Sequence, residues 1–461
     1  MQTIRSIVAK KIGLPIKALV KGERTTEILR ELNEAQWWEP DRLQELRTRR
    51  LRKLLVAVAQ NVPFYRREIG RIGAAPDSDD PWEILSKLPT IDKATYRQLG
   101  SDLQSDHPAR PPIVAHTSGT TGERLQVRID TLASSYRYLA GFRGRQWWGV
   151  EPGDTEYKIW GSGIRTAKGT KEYLRKVLGL VKDWSVGVTV VSPFFQTDRD
   201  LKRAADLLFR IKPSFVFGYS NSIHLLAAYL VREGRQAGPG WPRAVAYTAE
   251  MLLDWQRADI TAAFNAPVVA EYGSCEAGVM AYQCPEGRMH RSDDFMVLET
   301  VDEKAGSEGG VGEIVVTNLL ATDYPLIRYR QGDLARLDRE PCSCGRGLGT
   351  ISSLVGRMND CFVSPSGGIV DFIVVDQAMK DQPAIRRFKV VERAAGDLVF
   401  LAELHEGRDW SEADRQRFVS QCVKLLPPDV KLETRTTDHL PSEPSGKFRI
   451  MIPAAEAARY L

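Results

Sequence analysis

The sequence Ile-Val-Ala-His-Thr-Ser-Gly-Thr-Thr-Gly occupies residues 113–122 of the chain. Its first three residues form a short apolar run, which predicts a β-strand. The loop that follows carries two glycines and four hydroxyls. Glycine lets the backbone approach a ligand closely, and hydroxyls donate hydrogen bonds to phosphate oxygens. The spacing is not that of a Walker loop, so the stretch predicts a polyphosphate-binding loop of another kind, although an ordinary turn has the same composition.

Outward from this stretch, short apolar runs alternate with helical patterns. The predicted strands are 113–115, 188–191, 215–218, 244–247 and 268–272, and the predicted helices are 198–210, 222–233 and 253–264. Before them, a helical pattern over residues 43–72 is interrupted after Asn61, and Asp92 is placed to cap another helix. This alternation predicts an α/β fold in which helices cover the sheets.

After about residue 295 the pattern changes to strands separated by turns, at 295–301, 312–317 and 334–337. Beyond Gly356-Arg357 we predict a small α+β unit with strands at 388–391 and 398–403 and a helix at 411–426. The prediction is therefore a large N-terminal domain of helix-covered sheets, residues 1–355, and a small C-terminal domain, residues 356–461.

Composition narrows the classes of function. The 461 residues carry a net charge of +5, from 64 basic and 59 acidic side chains. This small, scattered excess argues against a nucleic-acid partner. No apolar run is long enough for a membrane-spanning helix. Six cysteines in a chain of this length do not indicate a disulfide scaffold, so a cytoplasmic protein is expected.

The first 22 residues form a separate feature. They carry five basic side chains and no acid, interleaved with isoleucine, leucine and valine. A basic amphipathic helix of this kind can rest on an anionic membrane surface. A surface helix packed on the main domain is the competing interpretation.

A second motif is Glu271-Tyr-Gly-Ser-Cys-Glu276, directly after an apolar run. Tyr272 is placed to stack on a purine, and Glu276 is placed to hold Mg²⁺ against phosphates. Taken alone, the motif is as typical of a strand end with a structural tyrosine and a solvated glutamate.

Two more motifs follow. Asp333 and Arg357 offer an acceptor and a donor for ribose hydroxyls or phosphate, although such residues also form plain surface ion pairs. A Pro/Ser/Gly loop at 441–446 then presents Lys447. Its ammonium can offset charge between an attacking carboxylate and an α-phosphate, whereas most lone lysines in loops are simply solvated.

In this order and spacing, the four motifs resemble the adenylate-forming superfamily of acyl-CoA synthetases and peptide-synthetase adenylation domains. They are similar to its phenylacetate–CoA ligase branch, including capsule-biosynthesis relatives. The likeness runs from about residue 50 to about residue 453. It is also carried by segments 61–65, 88–93, 217–222 and 342–346.

The resemblance implies an activity and a set of site residues. The chain would activate a carboxylic acid of aryl or arylacetic type with ATP, release pyrophosphate and pass the acyl group to CoA, while a mobile C-terminal domain rotates between the two half-reactions. The implied phosphate loop is Thr117, Ser118, Gly119, Thr120, Thr121 and Gly122, with Thr117 also counted as catalytic. The other implied residues are Ala249, Glu250 and Tyr272 at adenine, Asp333 at ribose, Arg357 at ribose or phosphate, Glu276 at Mg²⁺, and Lys447 at the carboxylate and α-phosphate.

A metal site is also expected. Cys284, His290, Cys342 and Cys344 together offer three thiolates and an imidazole, the ligands of a tetrahedral zinc ion. The phenylacetate–CoA ligase branch carries a similar set. Four protein ligands leave no open position, so such a zinc would be structural. The competing interpretation is three free cysteines and a surface histidine, and Cys275 ranks below His290 as a ligand.

Two departures from the family leave other functions open. Glu123 and Arg124 follow the phosphate loop, where relatives have Lys or a small residue, and Asn359 stands at the hinge in place of Asp. Because of Asn359 at the hinge, transfer of the acyl group to an amine, hydroxyl or carrier-protein thiol is a second candidate function. A nucleotide-binding protein without turnover is the third. For the acyl pocket, the aromatic residues Tyr136, Trp147 and Trp148 are either lining residues or core.

Overall fold

The computed structural model describes residues 25–116, 125–161, 185–195, 197–301, 311–338, 340–357, 362–366, 369–370, 378–379, 382–443 and 448–461. The basic segment at residues 1–22 lies outside these ranges. Among the described residues, no helix is both long and apolar enough to cross a membrane.

Helices form the first described part of the chain. They are α1 (Thr25–Ala35), α2 (Pro40–Asn61), α3 (Pro63–Arg71), α4 (Pro81–Lys87) and α5 (Lys93–Leu99). The predicted interruption after Asn61 is confirmed, since Pro63 begins a new helix. The predicted cap is confirmed as well, because the Asp92 side chain accepts a hydrogen bond from the Thr95 amide at 2.8 Å.

The next part is the parallel half of a large sheet. A two-stranded ribbon of β1 (Ile113–His116) and β2 (Gln126–Ile129) precedes α6 (Thr131–Gln146). Strands and helices then alternate: β3 (Glu156–Ile159), β4 (Val188–Val191), α7 (Asp198–Ile211), β5 (Phe215–Tyr219), α8 (Ser220–Arg232), β6 (Ala244–Thr248), α9 (Asp254–Phe264) and β7 (Val268–Ser274). The strands pair in parallel, in the order β4-β3-β5-β6-β7.

Antiparallel strands extend this sheet beyond β7. They are β8 (Gly278–Gln283), β9 (Met289–Arg291), β10 (Met296–Val301), β11 (Gly312–Asn318), β12 (Tyr329–Asp338) and β13 (Thr350–Arg357). The complete eleven-stranded order is β10-β11-β12-β13-β9-β8-β7-β6-β5-β3-β4. The predicted α/β class is therefore correct, with an antiparallel continuation of the parallel half.

Strand β5 explains why both sheet faces are covered. All five of its residues are buried. Val216 packs with helices α7, α8 and α9 on one face, whereas Phe215 and Phe217 pack on the opposite face. A strand with two apolar faces must lie inside a layered structure.

Helix α6 was not predicted, and its composition gives the reason. Its buried positions include Ser135, Gly141, Arg143 and Gly144, so no continuous apolar stripe marks it. Arg143 is buried in an ion pair with Asp294 at 2.6 Å. A Cβ atom on Gly144 would lie 2.2 Å from the Tyr282 ring, so glycine permits the close approach of helix and sheet.

The last described part contains a separate sheet. A small ribbon pairs β14 (Phe362–Val363) with β15 (Ile369–Val370). The four-stranded sheet has the order β18-β17-β16-β19, formed by β16 (Ile385–Ala394), β17 (Asp397–Leu404), β18 (Lys431–Thr437) and β19 (Met451–Ile452). Helix α10 (Glu412–Val423) packs against it. We call this part the C-terminal unit.

Candidate nucleotide site and candidate metal centre

Of the predicted nucleotide residues, Ala249, Glu250 and Tyr272 lie at the carboxyl edge of the parallel strands. Tyr219 ends β5 and lies opposite Thr248, the end of β6. Ala249 follows with a left-handed backbone (φ 73°), which turns the chain sharply out of the sheet. Strand β7 reaches the same edge with Glu271 and Tyr272. Ligands of open α/β sheets bind at this edge.

Tyr272 and Asp333 form the best-defined contact of the site. The Tyr272 hydroxyl donates to Asp333 Oδ2 at 2.8 Å, and both residues are buried. They come from different strands, β7 and β12, in the two halves of the sheet. The bond therefore orients a ring face and a carboxylate relative to each other.

Glu276 occupies the turn between β7 and β8. The Tyr329 hydroxyl lies 3.4 Å from Glu276 Oε1. Burial, followed by the negative charge of Glu276, raises the pKa of Tyr329, so this hydroxyl stays protonated and can donate. The neighbouring Cys275 Sγ lies 3.4 Å from the backbone oxygen of His116, the last residue of β1. Glu276 thus lies beside the start of the predicted phosphate loop.

Glu250 follows Ala249 and contacts two different parts of the chain. Its Oε2 accepts from the Asn221 amide at 3.0 Å and from Ser220 Oγ at 3.1 Å, at the N-terminus of α8. Its Oε1 accepts from the Phe448 amide of the C-terminal unit at 2.5 Å. Both oxygens therefore contact protein groups, and the place of Glu250 beside adenine stays a prediction.

Several predicted residues cannot be placed. Thr117–Gly122, Asn359 and Lys447 lie outside the described residues. The backbone of Arg357 is described, in register with Asp333 across β12 and β13.

Aromatic side chains line the same edge of the sheet. Trp160 stacks on Tyr219 at 4.4 Å between ring centroids and on Phe217 at 5.7 Å. Burial and the nearby Glu250 raise the pKa of Tyr219 to about 12. Of the aromatics considered from the sequence, Tyr136 is buried core, and Trp147 donates to Gln36 and contacts His290, away from this edge.

The four predicted metal ligands do come together. Their ligand atoms all lie within 4.8 Å of one another, with Cys284, His290 and Cys342 buried. In a tetrahedral zinc site, Zn–S bonds of about 2.3 Å place two sulfurs about 3.8 Å apart. The Sγ atoms of Cys284 and Cys342 are 3.8 Å apart, and His290 Nε2 lies 3.1 Å from Cys344 Sγ. This donor set fits zinc.

Two similar turns present the sulfurs. In Cys284-Pro-Glu-Gly287 the Gly287 amide donates to the Cys284 oxygen, and in Cys342-Ser-Cys-Gly345 the Gly345 amide donates to the Cys342 oxygen. Both glycines have positive φ, at 81° and 78°. The repeated Cys-x-x-Gly pattern is a sequence signal for this pair of turns.

The histidine is held in the form that binds metals. Its Nδ1 contacts the Leu348 backbone oxygen at 2.9 Å, which leaves Nε2 facing the sulfurs. Burial lowers the pKa of His290 to about 4 and raises that of the Cys284 thiol to about 12. Both pKa shifts have the same cause, because burial excludes water and disfavours the charged form. With its lowered pKa, the His290 imidazole is neutral near pH 7. Cys275 lies apart, on His116.

Sequence reasoning missed two features of the site. The contact between Glu250 and Phe448 joins residues 198 positions apart, and no local pattern marks it. The other feature, the stacked Trp160, follows directly after β3, which was itself not predicted because Glu156 and Lys158 interrupt its apolar residues.

Comparison with known proteins gives sequence relatives over nearly the whole chain. Protein CapK of Staphylococcus aureus is 25% identical over 452 residues, covering 96% of this chain and 95% of its own. A phenylacetate-coenzyme A ligase of Thermus thermophilus is 26% identical over 378 residues, covering 78% of this chain and 80% of its own. No family model matches the chain.

Comparison with solved structures gives the fold. A 2-hydroxyisobutyryl-CoA ligase captured in the postadenylation state with an acyl-AMP superposes with a TM-score of 0.70 at 18% identity, covering 90% of each chain. The same ligase in its thioesterification state gives 0.56 over 92% of each chain. The described chain therefore superposes better on the first state. The chain is thus similar in sequence to CapK and to a phenylacetate-coenzyme A ligase, and it has the fold of an acyl-CoA ligase.

Proposed function

We propose that this protein activates a carboxylic acid with ATP, releases pyrophosphate, and transfers the acyl group of the resulting acyl-adenylate to CoA. The observation that carries the proposal is the convergence of Tyr272, Asp333 and Glu276 beside His116, where the predicted phosphate loop begins. The similarity to phenylacetate-coenzyme A ligases supports the same reaction.

Tyr272 and Asp333 would bind the nucleoside. The hydrogen bond between them turns the Tyr272 ring toward one side, where adenine would stack. The same bond fixes the Asp333 carboxylate, which would accept from the ribose hydroxyls. Ala249 would contact the base through its backbone, and Arg357 would donate to the ribose or a phosphate.

Glu276 and the residues before it would serve the triphosphate. The hydroxyls and amides of Thr117–Gly122 would donate to the β- and γ-phosphate oxygens. Glu276, supported by Tyr329, would hold Mg²⁺, a cation that usually takes one or two carboxylates together with substrate phosphates. When bound, Mg²⁺ neutralises phosphate charge.

Lys447 would serve the chemical step. An oxygen of the substrate carboxylate attacks the α-phosphorus, the bond to pyrophosphate breaks, and a mixed anhydride with AMP forms. The Lys447 ammonium would lie between the attacking carboxylate and the α-phosphate and offset their charge. The thiolate sulfur of CoA then attacks the acyl carbon, and AMP leaves with the electron pair of the broken C–O bond.

An aryl or arylacetic acid fits the aromatic edge best. The half-buried ring of Trp160, stacked on the buried rings of Tyr219 and Phe217, would offer an aromatic surface at the end of β5. Aromatic rings pack favourably on such a surface in offset or edge-on arrangements. Aliphatic acids of similar size would fill the space but gain less from the rings.

The chain would fold as two domains, residues 1–355 and 356–461, with a structural zinc in the first. The fit of Cys284, His290, Cys342 and Cys344 to tetrahedral geometry supports the zinc. None of the five described cysteines forms a disulfide, which supports a reducing compartment such as the cytoplasm.

Lys447→Ala tests the proposal through the two half-reactions. We expect acid-dependent pyrophosphate release to fall by at least about 100-fold, because one charge-stabilising group at the transition state contributes on this order. Thiolysis of separately prepared acyl-adenylate should stay within about 3-fold of wild type. Exposed Lys431→Ala, in β18, serves as the matched control. Full adenylation activity in Lys447→Ala would contradict the assignment.

A further inference from the structure

The Glu250 carboxylate joins the large sheet to the C-terminal unit. Of its two oxygens, Oε2 faces the N-terminus of α8 and Oε1 faces the amide of Phe448. Phe448 directly follows Lys447 in the sequence. One side chain of the nucleotide edge therefore binds the backbone adjacent to the proposed catalytic lysine.

The Oε2 side of this contact is explained by local structure. Tyr219, the N-cap residue of α8, forms no side-chain capping bond. Helix N-termini leave amide hydrogens without intrahelical partners and carry partial positive charge. The carboxylate of Glu250 supplies the missing acceptor from the neighbouring strand, and the left-handed Ala249 brings it there. This half of the contact stabilises the large sheet alone.

The Oε1 side has no such local role. Phe448 belongs to the C-terminal unit, and its ring packs in the core of that unit with Val391 and Leu401. The Phe448 amide is directed out of that core to Glu250. A hydrogen bond with a charged acceptor is about twice as strong as one between neutral groups. The bond from the Phe448 amide to the Glu250 carboxylate therefore helps to position the backbone at Phe448.

Lys389 holds the same segment from inside the C-terminal unit. The Lys389 Nζ donates to the Arg449 backbone oxygen at 2.6 Å and lies 4.0 Å from the centroid of the Phe448 ring. The two consecutive residues are thus bound from opposite sides, by Glu250 through an amide and by Lys389 through a carbonyl. The Lys389 contact lies within one unit, whereas the Glu250 contact crosses between units.

Other contacts between the parts are of a different kind. Leu253 and Trp255 pack in the apolar core of the C-terminal unit, and Arg386 Nη2 lies 3.5 Å from the Phe195 backbone oxygen. Apolar packing tolerates small displacements, whereas a hydrogen bond fixes both distance and direction. Of these described contacts, the Glu250 bond is the one made to the backbone of Phe448, the residue that follows Lys447 in the sequence.

We propose that Glu250 is a positioning residue that fixes the Lys447 loop for adenylation and must release it before CoA reacts. The proposal rests on the proposed function, in which Lys447 acts only in the first half-reaction. The expectation that Glu250 lies beside adenine stays a separate prediction. The bond between Glu250 and Phe448 would exist only while the C-terminal unit contacts the large sheet in this way. Loss of the bond should therefore slow adenylation and leave thiolysis unchanged.

The test compares the half-reactions in Glu250→Ala, Glu250→Gln and Ser220→Ala. In Glu250→Ala we expect kcat for adenylation to fall by about 10- to 100-fold, the range for losing a hydrogen bond to a charged group. The KM for ATP should change by less than about 3-fold, and thiolysis of added acyl-adenylate should stay within about 3-fold of wild type. Glu250→Gln keeps an oxygen acceptor and should lose less.

Ser220→Ala is the matched control. It removes one bond to Oε2 at the helix N-terminus and leaves the Phe448 contact in place. We expect equal, small changes in both half-reactions. If Glu250 acted only as a helix cap, Ser220→Ala and Glu250→Ala would alter both half-reactions in parallel, and the proposal would be wrong.

Amide hydrogen exchange provides a measurement that needs no activity. In the intact protein, the peptide covering residues 447–453 should exchange faster in Glu250→Ala and Glu250→Gln than in wild type and Ser220→Ala. Unchanged exchange in both Glu250 variants overturns the proposal. Absence of acid-dependent adenylation in wild type would instead overturn the proposed function, while the exchange result would still decide whether Glu250 holds the segment.

Discussion

The Cys/His cluster and the Glu250 contact both join residues distant in sequence, yet they are supported very differently. His290 of the cluster lies in β9, which pairs with β13 through Thr350. The three cysteines lie in turns and loops next to strands of the same sheet, Cys284 directly after β8 and Cys342 and Cys344 between β12 and β13. The Glu250 contact rests on a single carboxylate oxygen between the large sheet and the C-terminal unit. We therefore expect changes in the first region to affect stability and changes in the second to affect one half-reaction.

Among the substitutions that test the two regions, removal of a cluster ligand should have the largest effect, on both bound zinc and thermal stability. In Cys342→Ser we expect bound zinc to fall from about one per chain to a small fraction, since a structural site needs its full ligand set. The unfolding temperature should fall by roughly 10 °C. Elemental analysis and thermal denaturation provide the measurements.

The control for this variant is Cys275→Ser, whose sulfur contacts His116 and lies apart from the cluster. It should retain zinc. Wild-type protein with well under one zinc per chain would contradict the metal assignment, and equal zinc loss in both variants would show that the cluster is not the site.

We expect a smaller effect in the C-terminal unit, where Lys389 makes folding stability depend on pH. Burial lowers the pKa of Lys389 from about 10.5 to about 7, with Glu443, Arg449, Arg387 and Glu250 as the nearby charges. Because the folded-state pKa is the lower one, the unfolded chain binds more protons between pH 7 and pH 10.5. Folding stability associated with Lys389 therefore rises with pH across this window.

Lys389→Met removes this titration. The free energy of unfolding of the variant relative to wild type should be most favourable near pH 7 and should decline toward pH 10.5. Urea unfolding at several pH values measures the difference, with exposed Lys431→Met as the control from the same sheet. A difference that does not vary with pH would mean that Lys389 stays charged in the folded protein.

Much of the fold follows from local patterns. Strands β4, β5, β6 and β7 and helices α7, α8 and α9 were predicted within a few residues, because their apolar periodicity is strong and turns separate them. Helix α6 was missed because its buried face carries Arg143 and glycines. The place of β13 between β12 and β9 was also not predictable, since strand order depends on contacts that no local pattern records.

The candidate site likewise has features that could be predicted from the sequence and features that could not. The Cys/His set was predictable because metal ligands have a characteristic chemistry and recurrent turns. The hydrogen bond between Tyr272 and Asp333 was not predicted, although both residues were, since it depends on the packing of two distant strands. Glu250 was singled out, but its contact with Phe448 was not predicted, because that partner belongs to another part of the chain.

The central claim is that ATP and a carboxylic acid react on this protein without any acyl acceptor. Acid-dependent exchange of labelled pyrophosphate into ATP, measured in the absence of CoA with a panel of aryl, arylacetic and aliphatic acids, tests it most directly. We expect exchange with at least one acid, strongest for an aryl or arylacetic member, and none when the acid is omitted. No exchange above the acid-free background with any member of the panel would contradict the account.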